Sequence, residues 1–363
     1  MTDDIQVQLL RDTTHGGSAD QPGEVASALA AFVGAATSTV DVAIYDFRLV
    51  DHGLVATVVG AFADAVSRGV TVRIAYDAGK PADGGAAEFA ALGADPAPVG
   101  TGAWLTQNLG GTGVQLTAID SAPHLMHSKY IVRDAADAAT AAVWMGSTNF
   151  TDDAWTLQEN NILRIPDQQI AAGYSADFAQ LWETGSIKGT GKGDTTGSTD
   201  ALGWDFSPGD GPAIDAALTA RIDAATTDIR IGTMVLTSHA MLAALAAAVD
   251  RGVSVSGVYD AGQMGPIVKK WRASSNDAAI VADWDKVSAK LSAKHSTPYS
   301  PTGPHDFMHL KVIVTDGILS TGSYNFSANA EKNAENQVHT TDAALVATYA
   351  QFLDDVAAVY ASS

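Results

Sequence analysis

Two histidine–lysine pairs stand out in this sequence by residue type and spacing. One residue separates His127 from Lys129, and one residue separates His309 from Lys311. Residues i and i+2 of a β-strand point to the same face, so each imidazole is expected to project beside its ammonium group. An ammonium group binds phosphoryl oxygens, and an imidazole can attack phosphorus or transfer a proton. The two pairs therefore predict chemistry on a phosphate ester.

Each pair is followed by the same short motif, glycine-serine-any residue-asparagine-phenylalanine, at 146–150 and 322–326. The serine and the asparagine of each copy share a strand face and offer neutral polar groups to phosphoryl oxygens. These candidate phosphate-binding residues are Ser147, Asn149, Ser323 and Asn325.

Two kinds of acid accompany the motifs. Glu159 and Glu335 each stand ten residues after the asparagine. A carboxylate of this kind can hold the second nitrogen of a catalytic imidazole, which fixes its tautomer and supports its positive charge. Asp134 and Asp316 each follow their histidine by seven positions. Residues an odd number of positions apart in a strand lie on opposite faces, so both aspartates should point away from their histidines. We therefore expect a structural role for them.

An internal repeat organises the elements that must position these residues. The segment 68–79 recurs at 251–262, and the histidine motifs recur in the same order at nearly the same offset. A stretch rich in glycine, threonine, serine and aspartate at 184–203 separates the copies. We therefore predict two copies of one domain, 1–195 and 196–363.

Each copy begins with a strand–helix–strand pattern typical of an α/β fold with parallel pairing. In the first copy the strands are expected at 40–47 and 70–76, with a helix at 54–66. Two long segments before the histidines, 79–113 and 262–307, are predicted to be irregular loops. Further elements are predicted as strands at 127–132, 142–145, 161–165, 228–236, 253–259, 308–315 and 318–321, and as helices at 170–182, 240–249 and 343–360.

Composition excludes several classes of protein. The chain has 363 residues, 21 Lys+Arg, 41 Asp+Glu and no cysteine, for a formal charge of −20. The absence of cysteine excludes disulfides, thiolate metal sites, iron–sulfur clusters and a cysteine nucleophile. The negative charge argues against generic binding to nucleic acid or anionic membranes. No signal peptide or membrane-spanning segment is expected, and the compartment stays undetermined.

With its two motifs in one chain, the sequence resembles the phospholipase D superfamily. The pattern His-x-Lys-x4-Asp occurs at 127–134 and 309–316, each followed by Gly-Ser-x-Asn, and looks like a pair of HKD motifs. The resemblance implies two α/β/α sandwich lobes related by a pseudo-twofold axis, with both motifs in one cleft. A single chain then completes the site, so a monomer without an obligate protein partner is expected. The first copy carries six extra residues at 135–140, which are interpreted as a longer hairpin turn.

The resemblance also implies a two-step mechanism that uses neither a metal nor another cofactor. One histidine forms a phosphohistidine, the other protonates the leaving alcohol, and water or an alcohol releases the intermediate. His127 is assigned as nucleophile and His309 as general acid/base, although the near-symmetry of the sequence leaves their order open. Glu159 would orient His127, and Glu335 would orient His309. Lys129, Lys311, Asn149 and Asn325 would hold the phosphoryl oxygens, with Ser147 and Ser323 assisting.

Three functions compete. A phospholipase D-type phosphodiesterase acting on phospholipid is favoured, because the charge of the chain disfavours polyanionic substrates. A metal-independent nuclease would need a basic track of which the sequence shows little. A non-enzymatic scaffold is disfavoured by two intact motifs. His124 and His305 are interpreted as loop histidines, and Lys269-Lys270 beside Trp271 as a small basic spot near an apolar segment.

Overall fold

The computed structural model describes residues 5–79, 100–300 and 303–361, and its strands form two large sheets. The order in the first sheet is β1-β9-β7-β6-β2-β4-β5, and a separate two-stranded sheet pairs β3 with β8. These strands are β1 Gln6–Leu10, β2 Thr39–Ile44, β3 Phe47–Arg48, β4 Thr71–Asp77, β5 Gln115–Ile119, β6 Lys129–Arg133, β7 Ala142–Gly146, β8 Phe150–Thr151 and β9 Asn160–Ile165.

The second sheet repeats the first, strand for strand, and adds one short strand at its edge. Its order is β10-β11-β17-β16-β15-β12-β13-β14. The strands are β10 Gly197–Ser198, β11 Leu202–Ser207, β12 Asp228–Thr233, β13 Ser254–Asp260, β14 Ser292–Lys294, β15 Lys311–Thr315, β16 Ile318–Gly322 and β17 Glu335–Thr340. In both sheets the strand after the first predicted helix pairs in parallel with the strand before it. The predicted duplicated α/β fold is confirmed.

Helices cover the sheets and fill the space between them. They are α1 Gln21–Gly34, α2 His52–Ser67, α3 Thr101–Leu109, α4 Asp152–Thr156, α5 Gln168–Thr184, α6 Gly211–Ala224, α7 His239–Asp250, α8 Ala261–Arg272, α9 Ala278–Ser288 and α10 Ala343–Val359. The helices predicted at 54–66, 170–182, 240–249 and 343–360 are confirmed as α2, α5, α7 and α10. Within the described residues, none of the helices combines the length and the apolarity needed to cross a bilayer.

The predicted irregular loop at 262–307 is wrong, because it contains α8, α9 and β14. Asp260 begins α8 by accepting a hydrogen bond from the N–H of Gln263, at the N-cap position. Pro266 inside the helix and the glycine before it obscured the helical pattern in the sequence. In the loop predicted at 79–113, α3 occupies 101–109, and residues 80–99 lie outside the described residues.

The two lobes share one hydrophobic core. Its buried residues include Tyr130 and Tyr174 of the first lobe and Val312 and Tyr349 of the second. Reciprocal hydrogen bonds cross this core. The side-chain amide of Asn336 in β17 donates to the Tyr174 hydroxyl at 3.0 Å. Its counterpart Asn161 in β9 donates to the Tyr349 hydroxyl at 2.9 Å. Because buried polar groups are costly when unpaired, these contacts specify how the sheets meet.

Asp134 and Asp316 close the hairpin ends of β6 and β15. Both adopt a left-handed backbone, with φ of 50° and 44°. The Asp134 carboxylate accepts hydrogen bonds from the backbone N–H groups of residues 37–39. Asp316 does the same for residues 226–228. Burial alone would raise the pKa of Asp134, but these bonds hold it well below its usual value. The two aspartates therefore tie the histidine-bearing strands to the central strands β2 and β12.

We expect Asp316→Asn to lower the free energy of unfolding by about 1–3 kcal/mol, because an amide loses charge-assisted hydrogen bonds to three backbone donors. Asparagine tolerates the left-handed backbone, so the change isolates the hydrogen bonds. A carboxylate with a depressed pKa stabilises the fold above its unfolded pKa, near 4, and this contribution disappears as the pH falls. Urea unfolding at pH 7 and pH 3 should therefore show a large difference from the parent that shrinks in acid.

Asp64→Asn, on an exposed face of α2, is the matched control and should change stability by less than about 0.5 kcal/mol. A destabilisation by Asp316→Asn that persists unchanged at pH 3 would contradict this account.

Candidate active site

Each motif histidine lies just before its strand rather than inside it. The strands β6 and β15 begin at Lys129 and Lys311. A buried aspartate anchors the segment before each histidine from the end of β4 or β13, the strands that pair in parallel with β2 and β12. Asp77 accepts the N–H of Met126 at 2.7 Å, and Asp260 accepts the N–H of Met308 at 2.8 Å. Burial raises the pKa of Asp260 to about 6.

His127 is held by a carboxylate from the other lobe. Its Nδ1 lies 2.7 Å from Oε2 of Glu335, and both side chains are fully buried. The other carboxylate oxygen of Glu335 accepts a hydrogen bond from Asn333 at 3.1 Å. With the proton on Nδ1, this contact leaves the lone pair on Nε2 of the imidazole.

His309 is held by a neutral amide from the first lobe. Its Nδ1 lies 2.9 Å from Oδ1 of Asn160. The amide nitrogen of Asn160 donates to the carbonyl of Ala154 and to the side chain of Gln158. These two bonds orient the amide so that its oxygen faces His309, whose Nδ1–H donates.

The predicted pairing of Glu159 with His127 and of Glu335 with His309 is therefore wrong. Equivalent backbone hydrogen bonds show which residues of the two copies correspond. The N–H of Ser147 donates to the carbonyl of Asn161, and the N–H of Ser323 donates to the carbonyl of Asn336. Asn161 thus corresponds to Asn336, and Asn160 corresponds to Glu335. The first copy has one more residue in this interval, and a shift of one residue turns a side chain to the opposite face.

Asn160 was not predicted, because counting ten residues from the motif asparagine selects Glu159 instead. Aligning the final asparagine of Glu-Asn-Asn at 159–161 with that of Ala-Glu-Asn at 334–336 would have found it. Glu159 instead lies 2.8 Å from the ammonium group of Lys294 and accepts a hydrogen bond from the hydroxyl of Tyr360 at 2.6 Å.

Lys129 and Lys311 bring positive charge into the buried centre. Each ammonium group donates to the carbonyl of its own motif histidine, at 2.7 and 2.8 Å. Lys129 also lies over the ring of Tyr45, 4.9 Å from its centroid. Burial, then Lys311, Lys129 and His127, hold the pKa of His309 well below its usual value. A phosphodiester anion is complementary to this concentration of positive charge.

The serine and asparagine residues of the glycine motifs divide into two groups. The Ser147 hydroxyl donates to Asn160 at 2.7 Å, and the Ser323 hydroxyl to the carbonyl of Asn336 at 3.5 Å. Both serine hydroxyls thus donate to groups within the protein, and their assistance in binding phosphate stays a prediction. The side-chain oxygens of Asn149 and Asn325 are buried without a hydrogen-bond partner among the described residues. An amide oxygen accepts hydrogen bonds, so a contact with a phosphoryl oxygen would have to come from the side-chain NH2 group of each asparagine.

A small pocket opens beside His309, and aromatic rings border it. His305, interpreted from sequence as a loop residue, stacks between Tyr299 and Phe307. Tyr45 and Asn149 contribute to the same pocket. In the part of the chain that the structure describes, no group of three or more histidine, aspartate or glutamate side chains is arranged to hold a metal ion.

Two solved structures share this architecture over nearly the whole chain. The phosphatidylserine synthase of Haemophilus influenzae superposes with a TM-score of 0.63 and 10% identity, covering 98% of this chain and 86% of the synthase. The polyphosphate kinase of Porphyromonas gingivalis gives a TM-score of 0.60 and 10% identity over 97% of this chain. This chain matches only 47% of that kinase's length. These likenesses show a common fold.

The sequence of the chain shows which family it belongs to. No curated protein sequence gives a significant match. A family model described as the PLD-like domain of cardiolipin synthase matches residues 29–182 and 218–356, which is most of the chain and includes both histidine motifs. The chain therefore belongs to this family of PLD-like domains, within the phospholipase D superfamily.

Proposed function

We propose that the chain is a phosphodiesterase that forms a phosphohistidine and passes the phosphoryl group to water or to an alcohol. The contact between Nδ1 of His127 and the buried carboxylate of Glu335, at 2.7 Å, carries this proposal. It prepares the imidazole of His127 for attack on phosphorus. In the same centre burial, Lys311 and Lys129 lower the pKa of the second imidazole, that of His309.

The first step forms one bond and breaks one. Nε2 of His127 attacks phosphorus, and the bond from phosphorus to the leaving oxygen breaks. The Glu335 carboxylate stabilises the positive charge that develops on the imidazole. His309 donates a proton to the leaving oxygen. In the second step water or an alcohol gives a proton to His309 and attacks phosphorus, and the phosphorus–nitrogen bond breaks.

The unlike partners of the two histidines support this division of roles. The carboxylate on His127 favours a nucleophile that becomes positively charged, whereas Asn160 offers His309 only a neutral oxygen. Lys129 and Lys311 repel a protonated His309. The bound anionic diester lies against both lysines and offsets this repulsion, which raises the pKa of His309 and favours its protonated form.

The non-bridging oxygens are assigned to the two lysines and to the side-chain amides of Asn149 and Asn325. Fixed donors of this kind stabilise the charge that develops around phosphorus without reorganising during the reaction.

A phospholipid is the substrate class we favour. The matching family model is described for a cardiolipin synthase, and a phosphatidylserine synthase shares the fold. The charge of −20 disfavours extended nucleic acids. The aromatic pocket beside His309 suits the leaving alcohol.

A substrate panel tests the proposal. We expect the protein to convert phosphatidylcholine vesicles with ethanol to phosphatidylethanol and to cleave an activated diester, bis(p-nitrophenyl) phosphate. Single-stranded DNA is the third substrate. Cleavage of DNA alone, lost in His127→Asn, would assign the nuclease function instead. No turnover of any of the three would contradict the proposal.

Replacing each histidine by asparagine should separate the two steps. His127→Asn should reduce turnover by at least about 10³-fold, because the nucleophile is lost. His309→Asn should still form the covalent intermediate from bis(p-nitrophenyl) phosphate, whose leaving group needs no proton, but release it slowly. Intact-protein mass spectrometry after a neutral quench should detect the phosphorylated protein only in His309→Asn. Trapping in His127→Asn instead would reverse the roles.

The carboxylate of Glu335 should matter mainly for the nucleophile. We expect Glu335→Gln to lower kcat by about 10²–10⁴-fold, because a neutral amide neither fixes the tautomer as well nor stabilises the imidazolium. Glu183→Gln, a change of the same type at an exposed position, is the control and should leave kcat within twofold. Equal kcat values for Glu335→Gln and the parent would rule out the assigned role.

A further inference from the structure

A second pocket lies on the C-terminal lobe, outside the residues assigned to catalysis. Its volume is about 420 Å³, within the range of small-molecule sites. Tyr259 and Trp284 line it together with Met264 and Val268 of α8. Its cationic members are Lys269 and Arg272.

The apolar wall is built from fixed side chains. Trp284 is buried and packs edge-on against Tyr259, with ring centroids 5.1 Å apart. Met264 is buried too, and its sulfur accepts the N–H of Leu236 at 3.4 Å. Helices α8 and α9 and the end of β13 thus hold the cavity open in a defined shape.

The rim carries positive charge in a strongly acidic protein. Lys269 and Lys270 are exposed at the end of α8, and Arg272 pairs with Asp285. The pairing with Asp285 offsets the charge of Arg272, so Lys269 and Lys270 carry the positive charge at this rim, in a chain whose formal charge is −20. An anion at the mouth would therefore meet locally favourable charge.

We propose that this pocket binds a single-chain anionic amphiphile. The alkyl chain lies against Tyr259, Val268 and Trp284, and the anionic head group lies beside Lys269. An apolar floor with a cation at its entrance matches both parts of such a molecule, whereas a free inorganic anion would leave the floor unoccupied.

Tryptophan fluorescence tests this binding, because Trp284 forms part of the wall. The probe is dodecyl phosphate below its critical micelle concentration, compared with dodecylphosphocholine and inorganic phosphate. We expect a saturable change with dodecyl phosphate that is absent in Trp284→Phe. Dodecylphosphocholine should bind roughly tenfold more weakly, since its cation faces Lys269. Saturable binding of inorganic phosphate at this site would overturn the proposal.

Variants separate the two halves of the ligand. Val268→Phe fills the cavity and should abolish binding. If Val268→Phe does not fold, Gly265→Leu replaces it. A side chain at Gly265 also enters the cavity, and its Cβ meets no other atom, so the fold should tolerate it. Lys269→Gln should weaken only dodecyl phosphate, by several-fold. Lys188→Gln, the same change on the other lobe, is its control. Unchanged binding in both filled variants, or equal weakening by Lys188→Gln, would contradict the site.

A separate observation concerns a buried ion cluster next to the segment that carries Asn160. The ammonium group of Lys294 lies 2.8 Å from Glu159 and 3.1 Å from Asp12, and it donates to the carbonyl of Leu157 at 2.9 Å. All three charged side chains are at most 4% exposed. Lys294 belongs to the second lobe, whereas the other residues belong to the first.

The cluster holds the segment that leads into Asn160 and contacts the residue before His309. Its contacts converge on residues 157–159, which lead directly into Asn160. Glu159 also forms a β-bridge with Met308, the residue before His309. In the second lobe the equivalent of Glu159 is Ala334, which has no charge. Among the described residues, the cluster therefore lies beside the histidine that has a neutral partner and has no charged counterpart at Ala334.

We infer that Lys294 is a positioning residue for His309, acting through Glu159 and Asn160. This inference rests on the proposed function, in which His309 protonates the leaving oxygen. A displaced acid would slow the expulsion of a poor leaving group and scarcely affect that of p-nitrophenol.

The test compares two diesters that differ in leaving group, methyl p-nitrophenyl phosphate and phosphatidylcholine. We expect Lys294→Met to lower kcat for phosphatidylcholine about tenfold or more, and to lower formation of the phosphorylated enzyme from the p-nitrophenyl ester less than threefold. Lys294→Arg should restore most of the loss. Equal losses with both substrates would indicate a merely structural role and overturn the inference.

Two further measurements keep the inference testable. Tyr360→Phe removes a hydrogen bond to Glu159 without burying an unpaired charge, so it replaces Lys294→Met if that variant does not fold. If the parent turns over neither substrate, the proposed function fails. The Nδ1–H signal of His309 in NMR, identified by its loss in His309→Asn, then still reports on positioning. Its shift should change in Tyr360→Phe, and an unchanged signal would contradict the inference.

Discussion

The candidate active site depends on an exchange of histidine partners between the two lobes. His127 belongs to the first lobe and is held by Glu335 of the second, whereas His309 belongs to the second and is held by Asn160 of the first. Neither lobe alone contains both a motif histidine and the side chain that holds its Nδ1. The shared core and the reciprocal tyrosine–asparagine bonds across it are therefore conditions for the chemistry, because they set the distance over which the partners meet.

Buried charge is the second constraint on this centre. Lys129 and Lys311 are almost fully buried, and each donates to a backbone carbonyl. Desolvated ammonium groups are costly, and burial together with these groups lowers the pKa of the adjacent His309 imidazole. A centre of this kind is complementary to an anion, and an incoming phosphodiester would offset the charge. A protein with a net charge of −20 can therefore still present a positive site, because the potential at the site depends on the charges that lie nearest to it.

Duplication produced two similar halves that are not equivalent at the site. At matching positions one histidine meets a carboxylate and the other an amide. In the part of the chain that the structure describes, the ion cluster of Lys294 lies beside His309 alone. These differences distinguish two imidazoles that the motifs alone leave interchangeable. The aspartates of both motifs stay equivalent, since each binds three backbone N–H groups in the same left-handed conformation.

Residue type, strand spacing and repeat order were sufficient to predict the histidine–lysine pairs, the duplication and the α/β class from the sequence. Within the described residues it placed four of the ten helices and nine of the 17 strands to within a few residues. Among the elements it missed are α8, where Pro266 interrupts the pattern, and β17, whose polar residues are buried in the centre rather than alternating with apolar ones. The side chain that hydrogen-bonds each imidazole, Glu335 for His127 and Asn160 for His309, depended on the tertiary structure. One extra residue before Asn161 moved Glu159 to the opposite face, and the partners came from opposite lobes, which linear spacing does not specify.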